Sequence, residues 1–160
     1  MPARTSAALL AFHRADSGEV RVFLGHMGGP FWESKGDGGW SIPKGEYDAA
    51  EDPMEAARRA FVEEVGVPVP DGVLIDPEVH VQPSGKRIRC FAVAAPESLH
   101  YVASNQFTLE WPRYSGIVRS FPEIDRAEWF PLAEARHKLV PGQVPSSRPS
   151  PTSCDSDCRC

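Results

Sequence analysis

Seven carboxylates and two adjacent arginines fall between Gly45 and Val67, in the stretch GEYDAAEDPMEAARRAFVEEVGV. Carboxylates crowded this densely are candidates for chemistry once a helix sets the directions in which they project. Glu63 and Glu64 are adjacent in sequence and project about 100° apart if the segment is helical. Position 60 then lies between them, about 60° from Glu63 and about 40° from Glu64, and it holds an alanine. Arg59, four residues before Glu63, can pair with that carboxylate and fix its rotamer, an exposed contact contributing only about 0.3–0.5 kcal/mol. The plainer alternative is a solvated acidic helix face with no chemistry of its own.

The elements that must position these groups are legible around them. Asp52 is a capping residue, Pro53 suits the first helical position, Glu55 completes the spacing of a capping box, and Gly66 stops the helix. Met54, Ala57, Phe61 and Val65 recur at helical spacing and define the buried stripe, which turns Glu63 away from the core and leaves Glu64 on its flank. Upstream, Thr5–His13 and Glu19–Met27 are rich in aliphatics and separated by Asp16-Ser17-Gly18, the pattern of a β-hairpin. The glycine-dense segment from Gly28 to Trp40 is a long loop, either ligand-facing or simply covering the core with its aromatics. Downstream, strands are expected at Gly72–Gln82 and Lys86–Ala95, joined by a Pro83-Ser84-Gly85 turn, then near Phe107–Trp111, Ile117–Phe121 and Ala127–Phe130, with a short helix over Leu132–Leu139. Many strands around two helices indicate an α+β or layered α/β/α fold.

From Gly45 the order is five residues, Glu51, seven residues, Arg59, Ala60, Phe61, one residue, Glu63-Glu64, one residue, Gly66-Val67. This resembles the Nudix box, G-x5-E-x7-R-E-U-x-E-E-x-G-U, at every defined position but one. The resemblance extends over about Arg4 to Pro141, and the wording WSIPKGEYDAAEDP is similar to bacterial Nudix proteins of the nucleotide and diadenosine tetraphosphate pyrophosphohydrolase type. It implies a Nudix α/β/α sandwich with a mixed sheet, in which a loop–helix–loop binds Mg²⁺ or Mn²⁺ and a pyrophosphate bond in a nucleoside polyphosphate is hydrolysed. By the same resemblance Glu63 and Glu64 are metal ligands and catalytic, Glu64 foremost. Arg59 orients the carboxylates, Glu51 is a supporting carboxylate, and Gly45 forms the turn beside which the Lys44 carbonyl reaches the metal. The Lys44 side chain is a candidate phosphate contact.

The one departure is Ala60, where the pattern has a glutamate that binds metal or helps activate water. Losing such a group lowers the rate by about 10²–10⁴-fold unless another carboxylate fills in, and Glu123 in SFPEIDRAEW or Glu110 before Trp111 are the candidates. Glu123 is otherwise an ordinary exposed turn residue. Arg89, alternating with Arg87 on a strand, is a candidate phosphate contact or part of an exposed sheet face. Trp32, Trp40 and Tyr47 are candidates to stack a nucleobase, or else pack the core or its rim. The histidines at 13, 26, 80, 100 and 137 have no ligand spacing.

With 160 residues the chain is expected to form one domain, 1–142. Residues 143–160, rich in Pro and Ser and poor in aliphatics, are expected to be a disordered tail. Cys154, Cys158 and Cys160 in that tail lack a fourth zinc ligand, and Cys90 stands alone, so no disulfide framework is expected. The net charge of -5 disfavours nucleic acid and anionic membranes as partners. There is no run of 18 apolar residues and no secretory signal, which points to a cytoplasmic protein. The expected partner is a small nucleotide, bound by a monomer or homodimer. Two functions follow: an active pyrophosphohydrolase acting on a dinucleoside polyphosphate or NTP, or a weakened Nudix domain serving as a nucleotide-binding module because of Ala60.

Overall fold

The computed structural model of the chain describes residues 5–71 and 85–140, and the backbone alone of residues 74–81. The expected tail at 143–160, the Pro83-Ser84 part of the turn and the His80 side chain lie outside the described residues.

Strands β1 (Thr5–Arg14) and β2 (Val20–Met27) form the expected hairpin, closed at Gly18 in a left-handed conformation with φ of 90°. Two short strands, β3 (Trp40–Ser41) and β4 (Lys44–Tyr47), lie between them, because β3 pairs with β2 while β4 pairs with β1. β1 and β2 are therefore partners only near the hairpin turn, and the sheet opens toward Thr5 and Met27. β5 (Leu74–Val81) pairs antiparallel with β6 (Arg87–Ala94), and β6 runs parallel to β1 over Thr5–Phe12. β7 (Gln106–Glu110) and β8 (Val118–Pro122) make a separate two-stranded sheet, and β9 (Ile124–Pro131) returns to pair with β2. The main sheet is mixed, as expected.

Helix α1 (Pro53–Val65) packs against β1 and β4, while α2 (Leu132–Lys138) packs against β2 and β9. Each helix has its own core. Leu9, Phe23, Phe61, Val65, Phe91 and Val93 lie under α1, and Val22, Leu24, Trp40, Phe130 and Leu139 belong to the cluster that includes Ala135 of α2. β1 is apolar on both faces because both are covered. No helix among the described residues is long and apolar enough to cross a membrane.

On α1 the expected stripe is buried at Ala57, Phe61 and Val65, with Met54 at its partly exposed edge. Ala56 and Ala60 are buried as well. Three alanines on that face let the helix lie close to β4: a Cβ added to Gly45 would come 3.1 Å from the Ala60 Cβ. Position 60 therefore faces Gly45 and is 1% exposed, which corrects the expectation that it simply points between the two glutamates.

Candidate active site

The glutamate pair sits at the last turn of a helix fixed at both ends. The Asp52 carboxylate accepts from the Glu55 N–H at 3.3 Å, and Pro53 follows it in the first turn. At the other end Gly66 takes φ of 82°, and any Cβ there would lie 2.6 Å from the Ala103 backbone. That contact is part of a backbone clamp. Val102 N–H donates to the Val65 carbonyl at 2.9 Å and Asn105 N–H to the Glu63 carbonyl at 2.8 Å.

The same clamp places Glu123. Its N–H donates to the Asn105 carbonyl at 2.8 Å, and its own carbonyl accepts from Gly28 N–H at 2.9 Å. Gly28 has to lack a side chain, since a Cβ would fall 1.9 Å from the Pro122 carbonyl oxygen. Neighbouring Ile124 is held by Tyr101, whose hydroxyl donates to its carbonyl at 2.7 Å, and by the Ser104 hydroxyl, which accepts from its N–H at 3.1 Å. Asn105 thus links, through its backbone, the end of α1 to the segment carrying Glu123.

Between these parts lies a cavity of about 420 Å³ at the opening between β1 and β2. The charged residues Glu63, Glu64, Glu123, Lys44 and Lys86 line it together with the aromatic residues Trp32 and Phe107. The Glu64 carboxylate accepts from the Lys44 N–H at 3.1 Å, so the turn before Gly45 is tied directly to the helix. Burial pushes the Glu64 carboxyl up to about 7, an effect opposed by the Lys44 charge and N–H. Burial also lowers the Lys44 ammonium, against the pull of Glu64, and its Nζ donates to the Ser41 hydroxyl at 3.2 Å. Glu123 is raised as well, by burial and then by the charge of Glu63.

Arg59 does not rely on Glu63. Its guanidinium is hydrogen-bonded to Glu51 and donates to the Glu46 carbonyl at 3.2 Å, while Glu63 lies 3.9 Å away. The Glu51–Arg59 pair therefore ties the loop before the helix to the strand β4.

The other candidates fall differently. Trp40 is 3% exposed, stacked edge-on against Phe130 and His26, so it is a core residue and no nucleobase can reach its face. The glycines around it suggested exposure, but pairing of β3 with β2 carries it under α2. Tyr47 packs against the α1 core rather than lining the cavity. Arg89 shares the register parity of Phe91 and Val93 on the α1 side of β6, and it is not at the cavity either. Glu110 also lies away from it, at the end of β7. Phe107 and Lys86, which no motif marks, do line the cavity; Phe107 is set against Gly29, where a Cβ would lie 2.8 Å from its ring.

Among the described residues no three His, Cys, Asp or Glu side chains stand together as a ready-made metal cage. Glu63 and Glu64, with Glu123 lining the same cavity, nevertheless fit Mg²⁺ or Mn²⁺ by the chemistry of the donor set. Mg²⁺ is usually held by one or two carboxylates and completed by water and substrate phosphate, not by an all-protein cage.

The fold is thus an α/β/α sandwich whose acidic loop–helix–loop borders a polar cavity. The NUDIX domain family model matches residues 4–148, so the chain belongs to the Nudix family, and its fold is that of the Nudix hydrolases. Comparison with curated protein sequences gives no significant match. Among solved structures, a C. elegans Ap4A hydrolase binary complex is similar with a TM-score of 0.54 at 17% identity, over 83% of this chain and 84% of that one. The NUDIX domain of Shewanella oneidensis NrtR complexed with ADP ribose aligns with a TM-score of 0.53 at 15% identity, over 90% of this chain and 82% of that one. A MutT/nudix family protein from Enterococcus faecalis gives 0.56 at 14% identity over 82% of this chain, which spans only 44% of that longer protein.

Proposed function

We propose that the chain is a cytoplasmic pyrophosphohydrolase, dependent on Mg²⁺ or Mn²⁺, that cleaves a pyrophosphate bond in a nucleoside polyphosphate, with a dinucleoside polyphosphate such as diadenosine tetraphosphate as the preferred substrate. The observation that carries this reading is a cavity lined both by carboxylates and lysines and by the aromatic residues Trp32 and Phe107. A nucleotide has the matching halves, an anionic phosphate chain and a flat base that stacks on aromatic rings. Similarity to the C. elegans Ap4A hydrolase supports the choice of substrate.

In this reading Glu63 and Glu64 would hold the divalent ion, and the Lys44 carbonyl would serve as a further oxygen donor. A divalent ion held there supplies charge neutralisation for the pyrophosphate and acidifies a water. Lys44 and Lys86 offset phosphate charge from the protein side. Glu123, which lines the same cavity, takes the proton from the attacking water at its carboxylate and stands in for the glutamate missing at position 60. Burial, and then the charge of Glu63, raise its pKa, the direction that favours proton uptake. Trp32 and Phe107 hold the base. Arg59 and Glu51 keep the loop and helix in register, and are positioning residues.

Ala60 favours a second reading, a nucleotide-binding module with weakened turnover, and the NrtR domain bound to ADP ribose is a structurally similar example of a Nudix domain holding such a ligand. The two are separated by incubating wild-type protein with diadenosine tetraphosphate, ATP and ADP-ribose in Mg²⁺ or Mn²⁺, following products by chromatography and binding by calorimetry. Metal-dependent turnover, fastest on diadenosine tetraphosphate, is expected. Tight binding of a nucleotide without turnover in either metal would reject the enzyme in favour of the module.

A further inference from the structure

Ser6 is 1% exposed, and its hydroxyl is buried with no hydrogen-bond partner. Serine is out of place there by composition, since the residues that follow it in β1 are AALLAF. A buried hydroxyl left unpaired costs about 1–3 kcal/mol, so its position asks for a partner. Ser6 lines the same cavity as Glu64, Lys44 and Lys86. In the sheet it lies between Glu46 of β4 and Ile88 of β6, its register partners on either side. An ion pair 3.5 Å long links Glu46 to Lys86, the residue just before β6.

We infer that Ser6 is a substrate-binding residue whose Oγ donates a hydrogen bond to a phosphoryl oxygen of the nucleotide held in the cavity; this rests on the function proposed above. The missing partner is an acceptor that arrives with the ligand. Because the Oγ is closed off from bulk water, contact requires a neighbouring side chain to turn aside. We assign this movement to Lys86, which lines the same cavity: an incoming phosphoryl group competes with Glu46 for its ammonium and draws the lysine toward the ligand. The hydroxyl then adds a neutral, directional donor beside the two lysines, fixing the orientation of the phosphate chain where they supply charge.

The test is calorimetric binding of the non-hydrolysable α,β-methylene analogue of ATP in Mg²⁺ to wild type and Ser6→Ala, with thermal melts of both proteins without ligand. Ser6→Ala is expected to bind roughly 10-fold more weakly, the loss of one hydrogen bond to a charged acceptor, with an unchanged or higher Tm because an unpaired hydroxyl has been removed. Equal affinity would overturn the inference and leave the proposed function standing. A fall of several degrees in Tm would also overturn it, since the hydroxyl would then serve the fold. Absence of binding by the wild type would reject the functional reading itself, and the role of Ser6 with it.

Discussion

Glu64 joins the helix to the turn before it through the Lys44 N–H, and burial holds its carboxyl near 7 against an ordinary 4.5. The folded protein thus binds a proton that the unfolded chain has already lost between those two values. In metal-free protein the corresponding stability is complete below about pH 4.5 and is lost as pH rises to about 7, a change of about 3 kcal/mol. Melting curves from pH 4.5 to 8 are expected to show this decline in wild type and a flatter profile in Glu64→Gln. Mg²⁺ should raise the Tm more at pH 8 than at pH 5, because it binds the ionised form. Ala60 makes the second prediction at this scale. Ala60→Glu puts a long charged side chain beside Gly45 in a space now filled by one methyl, so a metal-free Tm below wild type is expected, together with a larger Mg²⁺-induced rise and faster turnover. A Mg²⁺ response equal to wild type would mean that position 60 does not reach the cation. The spacing of Gly45, Arg59 and Glu64 was legible in the sequence because it lies within one helix and its flanks. That the partner of Arg59 is Glu51 more than Glu63 was not, since it depends on how the preceding loop folds back over the helix.

At the scale of the element, the two ends of α1 have different consequences. Asp52→Ala removes a cap about 1 kcal/mol strong at the end away from the glutamates, and should lower Tm while leaving kcat within about twofold of wild type. Gly66→Ala forces a side chain into the Ala103 backbone at a positive φ. The 102–105 segment must then shift, and it is this segment that hydrogen-bonds both Glu63 and Glu123 through Asn105. Turnover by Gly66→Ala is expected to fall by more than tenfold at temperatures where melting shows the protein still folded; a loss no greater than that of Asp52→Ala would show that the clamp does not position the site. Both caps could be read from the sequence, because capping is local chemistry. The clamp could not. Asn105, Gly28 and Glu123 come together through backbone bonds that span 18 residues between Asn105 and Glu123 and 95 between Gly28 and Glu123, and nothing in their identities announces it. Trp40 failed for the related reason that strand pairing, not local composition, decides which side of the sheet a residue enters.

Across the whole molecule, the site exists because the sheet is not continuous. β3 and β4 are inserted between β1 and β2, and the opening they create is bordered by α1 on one side and by the β7–β8 sheet through Phe107 on the other. Alternation and turn residues gave the strands and both helices, and hence the layered class, but not the parallel pairing of β1 with β6 that puts Ser6 beside Lys86. The central claim is that Glu64 serves chemistry in this opening at some expense to the fold. It is tested most directly by steady-state hydrolysis of diadenosine tetraphosphate in Mg²⁺ by wild type and Glu64→Gln, with Tm measured on the same samples without metal at pH 8. The expected result is a fall in kcat of about 10²-fold or more in a variant whose Tm is unchanged or higher, because the buried charge has gone. A variant that keeps wild-type kcat, or that loses activity only in step with a lower Tm, would contradict the account.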